Sequence, residues 1–383
     1  MNKQTVEQAS AEFAAPSGTS TWRPHWLDSV PAAAVIPLIT AEDARPIIPG
    51  VDLWDSWPLQ HENGSTAILN GQAWWFFLSA EQFPDPGQRH DAARIRVASF
   101  GAEGWTDHGC VIAPERSPGS REWAGSAVLS DDGLSVSLYF TAAGQRGQAH
   151  SFEQRLFVVE GSINNGKPGD WGTPQELIAA DGQRYVVARE ADGRPGMIKA
   201  FRDPAWFRDP ATGQGHVLFT ASAGWTDCDY NGLVGIAALV DGTWQLGDPL
   251  IEAVGVNNEL ERPHIVVRDG RYYLFWSTQR RTFDPAVASG PNGLYAMVAG
   301  SLDGPWRPVN GNGLVAANPP EEPTQGYSWW VTGEGVVWSF IDHWGMAGRN
   351  FGDHPELLRS QFGGTPAPCF QLAFAGDAVH IVR

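Results

Sequence analysis

The segment Glu259-Leu260-Glu261-Arg262-Pro263-His264 sets two carboxylates two residues apart, beside an arginine and just ahead of an apolar run. In an extended chain residues i and i+2 face one side, so Glu259 and Glu261 are expected to share a face and Arg262 to point away from it. Ionised carboxylates held that close repel each other, which raises one pKa toward the value a general acid needs. Glu261 is therefore the acid/base candidate, and Glu259 a ligand for substrate hydroxyls. Two solvated acids on a surface strand would show the same local pattern, so the rest of the chain has to decide. It holds two more such segments, Trp54-Asp55-Ser56-Trp57-Pro58 and Phe201-Arg202-Asp203-Pro204, each pairing a carboxylate with an aromatic or arginine neighbour. Only an architecture that brings remote strands to one central channel can join all three. A ring of four-stranded sheets does so, and this favours a β-propeller over a β-sandwich.

The intervening sequence agrees. Short β-rich runs recur at 73–78, 95–100, 134–141, 155–160, 216–221, 233–239, 264–267, 272–277, 294–298, 336–341 and 370–374, separated by Gly, Asp and Asn turns. Asp131-Asp132-Gly133 and Arg268-Asp269-Gly270 suit tight hairpins, because these residues tolerate positive φ. With 44 Gly, 28 Pro and 18 Trp, and no alternating βα pattern, the fold class is all-β. Most of the tryptophans are expected to pack the core. The remainder suit sugar-stacking platforms, since an indole face matches the apolar C–H face of a sugar. No repeat of blade length is visible, so the blade count does not follow from periodicity. Residues 1–22, rich in Ala, Ser, Thr and Glu, read as a loose leader, and residues 23–383 as a single catalytic domain.

Each candidate has an ordinary alternative. Asp55 resembles a turn aspartate, but Trp54 and Trp57 on either side suit a desolvated carboxylate held in one rotamer, as a nucleophile requires. Asp203 has a second copy of its motif six residues on, Arg208-Asp209-Pro210. That copy runs directly into the turn sequence Ala211-Thr212-Gly213-Gln214-Gly215, so Asp209 is read as a turn former and Asp203 as the site residue, holding sugar hydroxyls and favouring positive charge on the ring. His264, at a strand start, is read as a packed core histidine. No Ser-His-Asp ordering, phosphate-binding loop or metal-ligand pattern stands out.

The formal net charge of −17 disfavours nucleic acid and anionic membrane surfaces as partners. Cys110, Cys228 and Cys369 lack metal-ligand spacing and form no disulfide framework, although one bridge is open to them. The first 20 residues lack the features of a secretory signal, and no window approaches transmembrane length. A soluble protein is expected, extracellular or periplasmic by a route without a recognisable signal, with a cytoplasmic location left open; the sequence does not determine the oligomeric state.

Over about Asp52 to Ile341 the chain resembles glycoside hydrolase family 68, the bacterial levansucrases, inulosucrases and related β-fructofuranosidases. Carrying the resemblance are residues 54–59, Glu122-Trp123, 201–204, 255–264, Tyr273-Leu274-Phe275, Leu302-Asp303-Gly304-Pro305-Trp306 and Tyr327-Ser328. It implies a five-bladed β-propeller with a funnel-shaped central pocket and retaining chemistry on sucrose, with transfer of fructose to water or a sugar acceptor. Asp55 would be the nucleophile, Asp203 the transition-state stabiliser and Glu261 the general acid/base, with Trp54, Trp123, Arg202, Glu259 and Tyr327 lining the sugar subsites. Three positions depart from the family pattern. Ala124 stands where a serine usually supports the nucleophile, so water or Ser126 would have to substitute. Gln279 occupies the acceptor-steering position often held by Arg or His, which implies short products or hydrolysis. Asn258 replaces an aspartate that binds calcium in some relatives, so neither a structural metal nor any cofactor is expected. Two other readings stand beside this one: a carbohydrate-binding propeller without catalysis, and a different propeller glycosidase such as an invertase or an arabinan-type hydrolase.

Overall fold

The computed structural model describes residues 15–24, 30–188, 198–287 and 289–383. Its strands form a five-bladed β-propeller. The innermost strands of the successive blades are Val51–Gln60, Arg121–Leu129, Phe201–Arg208, Glu261–Arg268 and Gly326–Val331. From each, antiparallel strands step outward; in the first blade these are Gln72–Glu81, Arg94–Gly101 and Gly104–Cys110. Leu59 and Gln60 pair in parallel with Ala127 and Val128, which joins the first two blades into one ten-stranded sheet.

All eleven β-rich runs correspond to strands, Leu134 alone falling just outside its strand, and both predicted hairpins form. Asp269 and Gly270 have φ of 49° and 71°, closing the Arg268–Arg271 turn. Four innermost strands, however, lie outside the predicted runs, and the fifth was expected only from His264. Their alternation is broken by proline at 58, 204 and 263 and by a register shift in every one of them. They are also largely buried on both faces, which removes the polar half of a strand pattern.

Those bulges repeat around the ring. Asp55, Asp203, Arg262 and Ser328 adopt φ of 43°, 62°, 53° and 60°, each at the register shift of its strand. Hydroxyls on the preceding blade catch the freed N–H groups: Thr141 Oγ1 accepts from Asp203 N at 2.8 Å, Thr220 Oγ1 from Arg262 N at 3.0 Å, and Ser277 Oγ from Trp329 N at 3.0 Å. A bulge re-aims the side chain at its centre. Here it turns each one toward the axis.

The leader expected at 1–22 lies outside the described residues as far as position 14, and its end belongs to the fold. Ser20 and Thr21 pair with Ile251 and Glu252, and Trp22 is fully buried against Trp276 and Tyr295, with ring centroids 5.1 and 5.2 Å away. Trp22→Ala is expected to cost about 3 to 5 kcal/mol of stability, the usual range for truncating a buried indole. Urea titrations of the two proteins measure it, and an unchanged midpoint would show that the terminal segment contributes no packing. Cys110, Cys228 and Cys369 are all free, so the one bridge left open by the sequence is not formed. Among the described residues no helix is long and apolar enough to cross a membrane.

Candidate active site

The innermost strands enclose a funnel of about 1490 Å³ at the propeller axis. All nine candidate residues line it: Trp54 and Asp55 from the first blade, Trp123 from the second, Arg202 and Asp203 from the third, Glu259, Glu261 and Gln279 from the fourth, and Tyr327 from the fifth. Trp54 and Trp123 are the tryptophans among its lining residues. Of the other described tryptophans most are buried in the core, Trp22, Trp57, Trp276 and Trp329 completely.

Arg202 is the hub of the acidic cluster. Its Nη2 lies 3.0 Å from Glu261 Oε1 and 3.5 Å from Glu259 Oε1, while its Nε is 3.6 Å from Asp203 Oδ2. Burial opposes its charge, but Glu259, Glu261 and Asp203 together hold the guanidinium above its ordinary pKa. Burial likewise pushes Asp203 up to about 6, against the pull of Arg202. Burial and then the charge of Glu261 push Glu259 up to about 7. The repulsion expected between the two glutamates is thus expressed on Glu259. Glu261 has both oxygens engaged, Oε1 by Arg202 and Oε2 by the Tyr327 hydroxyl.

Across the funnel Asp55 is held differently. Burial raises its pKa; the Arg262 guanidinium and the nearby Ser328 hydroxyl work the other way. Arg262 itself donates to Ser328 Oγ at 2.6 Å and to the Ser56 carbonyl at 2.6 Å. The expectation that Arg262 faces away from the glutamates is therefore corrected: the bulge at φ 53° turns it into the site, beneath Asp55.

The family model described as levansucrase/invertase, that of glycoside hydrolase family 68, matches residues 27–232 and 228–383. The chain belongs to glycoside hydrolase family 68. It is 30% identical to levansucrase LscC of Pseudomonas savastanoi pv. glycinea, over 89% of this chain and 85% of that one. With the levansucrase of Erwinia amylovora it shares 31% identity, over 87% and 86%. Among solved structures, the inulosucrase of Halalkalicoccus jeotgali bound to kestose superposes with a TM-score of 0.83 at 38% identity, covering 94% of this chain and 95% of that one. The protein is thus an enzyme of the glycoside hydrolase and fructosyltransferase type.

Within this family 68 site, Ser126 does not replace the serine missing at Ala124. Its hydroxyl donates to the Pro204 carbonyl at 3.0 Å and accepts from Trp206 N at 2.9 Å, so it joins two blades and has no donor left for a carboxylate. Ser328, on the neighbouring fifth blade, faces Asp55 instead. Asp209 lies away from the funnel; its carboxylate accepts from Ala211 N at 3.0 Å and Thr212 Oγ1 at 2.8 Å, as a turn former does, and Tyr272 adds a third hydrogen bond. His264 is a core residue. Its Nδ1 bonds the Arg262 carbonyl, its Nε2 accepts from Val331 N, and burial lowers its pKa to about 3.

Sequence reasoning missed Arg262, Ser328, Thr220, Arg89 and His90. Thr220 donates to Asp203 Oδ2 at 2.9 Å while accepting from Arg262 N. Arg89 stacks between Trp54 and Phe362, 5.3 and 4.5 Å from their ring centroids, and His90 meets Trp54 edge-on at 5.8 Å. These two brace the indole beside Asp55 from a loop between outer strands, where no local pattern marks them. The bulged residues did leave a signal: a polar or aromatic residue followed by its bulge partner, at 54–58, 123–127, 202–206, 261–265 and 327–331, on irregular spacings.

Proposed function

We propose that this protein is a retaining fructosyl-transferring enzyme that takes sucrose as donor and passes fructose to water or to a second sugar. One observation carries the reading: three carboxylates from three blades converge on Arg202 and Arg262 inside one funnel, in a chain of family 68. A non-catalytic sugar-binding propeller needs stacking surfaces but not three buried carboxylates, whose desolvation costs stability.

In this reading protonated Glu261 donates to the glycosidic oxygen as glucose leaves, while the Asp55 carboxylate attacks the fructosyl anomeric carbon from the other side. The Glu261 carboxyl lies among the donors of Arg202 and Tyr327, which fix its orientation. Positive charge developing on the ring is stabilised by Asp203. The covalent fructosyl-enzyme is then attacked by water or an acceptor hydroxyl, with Glu261 now removing the proton. Trp54 and Trp123 supply apolar walls for the sugar rings.

The deciding experiment incubates the protein with sucrose and measures free glucose and free fructose separately. Glucose in excess of fructose means transfer, and equal amounts mean hydrolysis. Unchanged sucrose at high enzyme concentration would remove the donor assignment.

Gln279 bears on the products. Its Oε1 accepts from Arg281 Nε at 2.7 Å, and its side chain approaches Tyr327, whose hydroxyl reaches Glu261. The acceptor-side amide therefore sits next to the acid/base as well as at the funnel wall. Gln279→His and Gln279→Arg are expected to change the ratio of transfer to hydrolysis, or the chain length, more than they change sucrose consumption. Chromatography at equal sucrose conversion measures this, and identical product profiles would take Gln279 off the acceptor path.

A further inference from the structure

Lys199 lies just outside the funnel, two residues ahead of the strand that carries Arg202 and Asp203. Its Nζ donates to Asn231 Oδ1 at 2.6 Å and to the Asp229 carbonyl at 2.8 Å, with the Cys228 carbonyl and Asn258 Oδ1 each 3.5 Å away. The orientation of both amides is set elsewhere: Asn231 Nδ2 donates to the Ala223 carbonyl at 3.0 Å and Asn258 Nδ2 to the Ile198 carbonyl at 3.2 Å. Both therefore turn oxygen toward the ammonium. Four oxygens around one cation exceed the three donors an ammonium carries, so the nest is built for charge and not only for hydrogen bonds.

What the nest holds together is the acidic cluster. Asn258 immediately precedes Glu259, and Asn257 Oδ1 accepts from Glu259 N at 2.8 Å. The backbone carbonyl of Lys199 accepts from Gln154 Nε2 at 2.8 Å, while Gln154 Oε1 takes the Phe201 N–H at 3.0 Å. One cation thus joins the chain segment feeding Arg202 and Asp203 to the segment feeding Glu259 and Glu261. Burial disfavours the Lys199 charge, and Asp229 and Glu259 favour it.

We infer that the Lys199 ammonium acts as a fixed internal cation, a positioning residue that seats the Glu259–Glu261 segment against Arg202. The catalytic consequence rests on the role proposed above for Glu261. Small displacements of a catalytic group are costly, so Lys199→Ala is expected to lower kcat on sucrose by about tenfold to a hundredfold while KM changes less. The empty nest should then accept a small exogenous cation that carries N–H donors. Ammonium or methylammonium chloride should restore part of the lost kcat saturably; tetramethylammonium chloride at the same ionic strength should not, and wild type should respond to none of them. The thermal midpoint of Lys199→Ala should rise with ammonium over tetramethylammonium, a readout that needs no catalysis. Lys199→Gln, which keeps the aliphatic stem without the charge, serves in place of Lys199→Ala should the latter not fold. Wild-type kcat in a folded charge-free variant, or a loss in which neither kcat nor midpoint responds to ammonium, would overturn the inference. If the wild type itself leaves sucrose untouched, the reading of Glu261 fails, and the midpoint comparison still decides the nest.

Discussion

Asp55→Asn and Glu261→Gln are expected each to lower turnover on sucrose by about a hundredfold to ten-thousandfold with the fold retained. The Asp55 carboxylate lines the funnel beside the Arg262–Ser328 pair, and an amide in that position fills the same space but cannot attack carbon. At Glu261 the amide oxygen still accepts from Arg202 or Tyr327, so the geometry survives while the proton that must move to the leaving oxygen is gone. Glucose release per folded molecule, with circular dichroism as the check on folding, reads both variants. Asp209→Asn is the internal control, because that carboxylate is spent on the 209–212 turn and on Tyr272. Turnover equal to wild type is expected from it. Damage matching that of Asp203→Asn would reverse the choice between the two Arg-Asp-Pro copies.

Asp203→Asn should separate function from stability. Burial raises the folded pKa of Asp203 from the ordinary 3.8 to about 6, although Arg202 and Thr220 work against the rise. A carboxyl with a raised folded pKa binds its proton more tightly folded than unfolded. Its favourable contribution is therefore complete at low pH and is lost as pH climbs from the unfolded value through about 6. At neutral pH the ionised Asp203 costs up to about 3 kcal/mol, and asparagine, which cannot ionise, removes that cost while keeping the hydrogen bond from Thr220. The variant should be more stable than wild type near pH 7 and equal to it below about pH 4, while turnover falls by about a hundredfold or more. Denaturant midpoints across that pH range test the sign: a variant less stable at neutral pH would mean that Arg202 more than compensates the burial.

The three carboxylate segments, the all-β class, ten outer strand runs and the outer part of one innermost strand, 264–267, were legible in the sequence because each depends on local chemistry. Turn residues at 131–133 and 268–270, apolar alternation in the outer strands and a carboxylate beside Arg or Trp can all be read within a window of a few residues. Asp203 could be chosen over Asp209 for the same reason, since the turn after Asp209 announces itself locally. The innermost strands could not be read this way. Burial on both faces, proline at 58, 204 and 263, and a bulge in each strand erase the period-two pattern just where the site is built.

Only the tertiary structure decided which way the bulged residues point. A segment taken as extended puts Arg262 opposite Glu261; one left-handed residue reverses it and delivers the guanidinium to Ser328 and Asp55. The partner of Asp55 was likewise beyond local reach, because Ser328 lies four blades further along the chain yet next door around the ring. Trp22 was assigned to a leader by its neighbours in sequence, whereas its burial is set by Trp276 and Tyr295. In each case the deciding contact closes a loop of tens to hundreds of residues, and residue types within a short window carry no information about which distant surface will meet them.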